Sequence, residues 1–169
     1  MKKIMVIGCP GSGKSTFSRA LHILTGIRLF HLDLMYWNAD RTTVEKVDFL
    51  RGLTDAIQKD EWIIDGNYGS TMELRMKFCD TVIFLDYPTD ICLEGIRERR
   101  GKARTDMPWT EKADEEYAEF IEFIKNYNSQ SRPKVMELLD RYSDREVYIF
   151  RSRDESDSFL KSLAENHVD

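Results

Sequence analysis

The run Gly8-Cys9-Pro10-Gly11-Ser12-Gly13-Lys14-Ser15 constrains this chain more than any other feature. Its spacing is a glycine, four residues, then Gly-Lys-Ser. Glycines at these positions let the backbone curl so that successive N–H groups converge on one point. The flanks carry the matching pattern. Ile4-Met5-Val6-Ile7 is a continuous apolar run, as in a strand buried on both faces of a parallel sheet. Lys14 to Leu24 places Phe17, Leu21 and Leu24 at helical spacing, and Gly26 ends the helix.

Strand, glycine loop and helix in that order make a phosphate cradle. The loop N–H groups and the helix dipole attract anionic oxygens. Lys14 supplies a point charge for the β- and γ-phosphates, and the Ser15 hydroxyl is placed to ligate magnesium. Gly8, Pro10, Gly11, Ser12, Gly13, Lys14, Ser15 and Thr16 are the expected nucleotide contacts, and the expected ligand is ATP with Mg²⁺.

Further strands are expected at Ile27 to Leu32, Trp62 to Ile64, Thr81 to Leu85 and Val147 to Phe150. Helices are expected at Thr43 to Lys59, with Val47, Leu50 and Ile57 on one side, and at Pro88 to about Arg100. Others are expected at Asp114 to Tyr127, Pro133 to Tyr142 and Ser156 to Glu165. Alternating strands and helices give an α/β fold with a parallel sheet. The 169 residues suit one domain, 1–169, with a mobile lid at about 101–110. A net charge of −5 argues against a general nucleic-acid binder. Three cysteines without metal-ligand spacing suggest a reduced, cytoplasmic setting, and no apolar run reaches membrane-spanning length.

Two carboxylates end strands where magnesium needs a second partner: Asp65, followed by the pliable Gly66-Asn67-Tyr68-Gly69, and Asp86, followed by Tyr87-Pro88. Asp65 is favoured, because Asp86 reads as a neighbour of a helix cap. Asp33, at the end of the second strand, is placed to orient a substrate hydroxyl or take its proton; a turn or capping role is the plainer alternative. Tyr36 and Trp37 are pocket wall in the first case and core in the second. His31 reads as a structural strand residue. Arg97, Arg99, Arg100, Lys102 and Arg104 crowd into an acidic chain just where the lid begins. Arginines closing over a transferring phosphoryl group stabilise its charge, and Arg99 and Arg104 are the expected contacts. Arg75 either points to the acceptor or forms a surface salt bridge.

The phosphate loop, Asp65-Gly66-Asn67-Tyr68-Gly69, Leu85-Asp86-Tyr87-Pro88 and Arg99 through Trp109 together resemble the bacterial DNA topology modulation protein family, a branch of the adenylate kinase-like P-loop kinases. The resemblance covers nearly the whole chain. It implies a P-loop NTPase three-layer α/β/α fold, with a five-stranded parallel sheet in the order 2-3-1-4-5 and a small lid. It implies that Asp65 is the magnesium-linked carboxylate and that Arg99 and Arg104 flank the lid. The segment Arg151-Ser152-Arg153-Asp154 would border the adenine, with Arg153 as the contact. Adenylate kinases carry an acceptor-phosphate arginine after the second strand; this chain has His31-Leu32-Asp33-Leu34-Met35-Tyr36-Trp37. Their adenine-stacking arginine falls at Gly95. Asp33 is more similar to the aspartate of kinases acting on hydroxyls, such as nucleoside or shikimate kinases.

The expected activity is transfer of the γ-phosphoryl group of Mg·ATP to a hydroxyl or phosphate of a small acceptor. Lys14, Asp33, Arg99 and Arg104 would be catalytic, Ser15 and Asp65 would hold the metal, and Asp33, Tyr36, Trp37, Asn67, Tyr68 and Arg75 would face the acceptor. The alternative is a nucleotide-dependent regulator of DNA topology. A monomer or homodimer, no membrane association and no direct nucleic-acid contact are expected.

Overall fold

A computed structural model describes residues 1–111 and 115–166. The chain runs β1 (Lys3–Gly8), α1 (Lys14–Thr25), β2 (Leu29–His31), α2 (Leu32–Tyr36), α3 (Lys46–Ile57), β3 (Trp62–Asp65) and α4 (Gly69–Phe78). It continues through β4 (Thr81–Leu85), α5 (Thr89–Arg99), α6 (Glu115–Gln130), α7 (Arg132–Arg141), β5 (Glu146–Phe150) and α8 (Arg153–Asn166). The five strands pair in the order β2-β3-β1-β4-β5, every pair parallel. This is the three-layer P-loop NTPase arrangement and strand order that the resemblance implies.

The period of two along β1 explains the layers. Met5 and Ile7 point to one face and join Leu32, Leu53, Trp62, Ile64, Met76, Val82, Phe84 and Leu139 beneath α3, α4 and α7. Ile4 and Val6 point to the other and join Phe17, Leu21, Ile63, Ile83, Ile96 and Ile124 beneath α1, α5 and α6. Each such side chain, fully buried, contributes about 1.5–3 kcal/mol relative to exposure. Gly26 terminates α1 in a left-handed conformation, and its N–H bonds His22 O at 2.8 Å.

Several boundaries differ from expectation. β2 stops at His31, so Asp33 lies in the first turn of the short helix α2 rather than at a strand end. The chain then doubles back through a bridge between Trp37 and Thr43, which delays α3 to Lys46. The buried stripe of α3 is Phe49, Leu53, Ala56 and Ile57; Val47, expected inward, is 62% exposed because it lies about 160° around the helix from Phe49 at roughly 100° per residue. Asp114, the expected start of the helix seen as α6, lies outside the described residues.

Candidate active site

The phosphate loop joins β1 to α1 at the carboxyl edge of the sheet. It lies directly on α5. Gly11 has φ 85°, and a Cβ there would stand 2.0 Å from Cys92 O. Gly95 faces it: a Cβ on Gly95 would stand 2.2 Å from Gly11 O. Two backbones meet with no room for a side chain, which explains why no arginine stands at position 95.

The loop borders a cavity of about 1000 Å³. Pro10, Gly11, Gly13, Lys14, Ser15, Thr16, Arg99 and Arg153 line it. Two expected contacts do not. Gly8 lies below, packed against Leu85, and Ser12 turns its side chain into the interior, where Ser12 is only 2% exposed. The Lys14 ammonium donates to Gly8 O at 2.9 Å and Cys9 O at 3.2 Å. Burial pushes its pKa down, while the Asp33 and Asp65 carboxylates pull it back up.

Across the cavity stand the acids. Asp65, at the end of β3, is buried and accepts from His31 Nδ1 at 2.9 Å. His31 is therefore the donor, since an ionised carboxylate only accepts. Asp33 Oδ1 accepts from the Tyr68 hydroxyl at 2.6 Å. Burial raises the Asp33 pKa; the Tyr68 hydrogen bond and the Lys14 and Arg104 charges work against that rise. Tyr68 has φ 38°, a left-handed backbone that is rare for a bulky residue. It is held there from beneath.

Arg75 does the holding. It is fully buried and donates to Gly66 O at 2.8 Å and to Asn67 O. It reaches neither an acceptor nor the surface, contrary to both expectations, because its guanidinium is occupied by carbonyls under the Gly66–Tyr68 turn. Asn67 does line the cavity, with its Oδ1 accepting the Gly8 N–H at 3.2 Å. Trp37 lines it as well. Tyr36 does not: its ring packs edge-on against Phe49 at 5.3 Å and Tyr68 at 5.0 Å, on the core side. Asp86, the disfavoured carboxylate, is taken by Arg132 through two 2.8 Å bonds and by Arg151 at 3.2 Å, away from this cavity.

The segment expected as a lid lines the cavity and supplies residues that the sequence reading passed over. Gly101 N–H bonds Glu111 O at 3.2 Å, so the segment between them is a loop closed at its neck. Glu111 is buried and grips both arginines, Arg99 at 2.6 and 3.1 Å and Arg104 at 3.1 Å. Asp106 pairs with Arg104 and accepts from Ser15 Oγ at 2.6 Å. Burial alone would raise the Asp106 pKa, but Arg104 and Ser15 hold it well below the usual carboxylate range. Arg19 steadies the lid from α1 through Thr105 at 3.1 Å. A run of alternating acids and bases gave no signal for which carboxylate would meet which arginine.

The sequence matches no known protein-family model and no curated protein. Solved structures do share the fold. Shikimate kinase from Bacteroides thetaiotaomicron is similar with a TM-score of 0.60 at 18% identity, covering 96% of each chain. Shikimate kinase from Acinetobacter baumannii, in complex with shikimate, matches with a TM-score of 0.60 at 16% identity over 100% of this chain and 96% of that one. A gluconokinase from Sinorhizobium meliloti 1021 gives 0.54 at 14% identity over 99% and 95%.

Proposed function

We propose that this protein is a small-molecule kinase that transfers the γ-phosphoryl group of ATP to an acceptor hydroxyl. One observation carries the reading: the Asp33 carboxylate opens into the same cavity as Lys14 and Ser15. A proton acceptor and a phosphate cradle in one chamber are the two halves of phosphoryl transfer. The kinase names of the fold neighbours support it, as does the motif resemblance to the topology modulation family.

Ser15 and Asp65 suit a magnesium ion. Both line the cavity, both present oxygen, and the Ser15 hydroxyl already meets an anionic carboxylate oxygen. When bound, magnesium would neutralise charge on the phosphates. Lys14 would hold the β- and γ-phosphates. Asp33 would orient the acceptor hydroxyl and take its proton as the hydroxyl oxygen bonds to the γ-phosphorus. The bond from that phosphorus to the bridging oxygen breaks, and the electron pair leaves with ADP. Arg99 and Arg104 would face the charge on the transferring group and, with the closed lid, exclude water.

ADP release measured with nucleosides, nucleoside monophosphates, sugars and hydroxy acids tests this. No stimulation by any acceptor, with ATP binding intact, would count against it. The regulator reading is disfavoured by the net charge of −5, which opposes contact with a nucleic-acid backbone.

A further inference from the structure

Beyond Lys14 the cavity turns aromatic. Trp37, Tyr68 and Trp109 line it together with Met107. Trp37 and Trp109 meet edge to face at 5.7 Å, and the Arg41 guanidinium lies 4.6 Å above the Trp109 ring. The Tyr68 hydroxyl donates to Asp33 Oδ1 at 2.6 Å. Such a wall offers broad apolar faces to the flat side of a ring.

The charges narrow the choice of molecule. Asp33 uses Oδ1 for Tyr68, and Oδ2 has no hydrogen-bond partner among the described residues. A carboxylate oxygen so placed calls for a hydroxyl donor. Three of the lining arginines already face carboxylates: Arg104 meets Asp106 and Glu111, Arg99 meets Glu111, and Arg41 meets Glu116 at 2.7 Å. An acceptor bearing its own phosphate or carboxylate would bring that charge beside Asp33 and Asp65. Like charges brought close together in a partly buried site repel strongly. An uncharged alcohol meets no such repulsion.

We infer that the acceptor is an uncharged, ring-bearing alcohol, a nucleoside or a neutral sugar, whose hydroxyl meets Asp33 while its ring lies on the Trp37–Trp109 wall. This rests on the phosphoryl-transfer reading for the role of Asp33, but not for the wall.

The test follows tryptophan fluorescence and ADP release side by side. Trp62 is fully buried in the core and gives a constant background, so changes report Trp37 and Trp109. Adenosine, thymidine, ribose and glucose are compared with the 5′-monophosphates of the nucleosides and sugars and with gluconate and shikimate. Neutral compounds should quench the fluorescence, and at least one should stimulate ADP release with kcat/KM about tenfold or more above its charged counterpart. Activity with nucleosides alone or with sugars alone identifies the source. Trp109→Leu should weaken neutral binding. A charged compound that is preferred in both readouts overturns the inference and leaves phosphoryl transfer standing. Quenching by neutral compounds without ADP release from any acceptor sustains the wall and sinks phosphoryl transfer. Silence of every neutral compound in both readouts, with Mg·ATP still bound, also overturns the inference.

Discussion

The Ser15 hydroxyl donates to the Asp106 carboxylate at 2.6 Å, so the lid holds the same oxygen that the phosphate loop would offer to a metal-bound nucleotide. The carboxylate must leave before a triphosphate engages Ser15, and leaving costs a charge-assisted hydrogen bond. Asp106→Ala should therefore bind Mg·ATP more tightly, by about 1 kcal/mol or fivefold, in titration calorimetry. Weaker binding would mean that Asp106 serves the metal instead.

Asp33→Asn keeps the shape of the side chain and removes the proposed base. Turnover should fall by about a hundredfold or more, with ATP affinity nearly unchanged. The pH profile gives a sharper check. Asp33 must be ionised to take a proton, and burial raises its pKa. The rate should therefore rise with pH along an acid limb above the ordinary aspartate value of about 3.9, and the asparagine variant should lack that limb. Equal losses in turnover and ATP affinity would make Asp33 a structural residue.

Gly95→Ala adds one carbon against Gly11 O, where 2.2 Å is available. The backbone of the phosphate loop must shift, because its neighbour is not a flexible side-chain end. ATP affinity should drop about tenfold or more while the circular dichroism spectrum stays native. An unchanged affinity would show that the loop accommodates the shift freely.

Arg75→Met leaves the carbonyls of Gly66 and Asn67 buried without their donor. Urea unfolding should show a loss of about 2–3 kcal/mol. Activity of the surviving folded protein should also fall, because Tyr68 loses the support for its left-handed backbone. A variant as stable as the parent would contradict this account.

The sheet was legible because its signals are local. An apolar run before a glycine loop reads as a buried parallel strand without knowledge of its neighbours, and β1, β3 and β4 show it. Local spacing also picked out the loop after β1, Asp33 and Asp65, which line one cavity. What escaped depends on partners distant in sequence. Glu111 gains its role only where the lid neck brings it to Arg99 and Arg104, and Asp106 only where the lid meets α1. Arg75 misled for the opposite reason. A guanidinium normally seeks water or a carboxylate, and nothing in the helix pattern indicated three backbone carbonyls waiting beneath a turn. Tyr36 and Trp37, adjacent in sequence, part company at the end of α2, one toward the core and one toward the cavity.

The contact between Gly11 and Gly95 has a consequence for how Arg99 is anchored. Arg99 lies one helical turn beyond Gly95, about 6 Å along α5, so its distance from the phosphate site is set by a rigid helix resting on the loop itself. Arg104 lies past Gly101, whose φ of 75° begins the lid. Five positions apart in sequence, the two arginines are anchored differently: Arg99 stands on the helix packed against the loop, and Arg104 on the segment beyond Gly101, and Glu111 joins them.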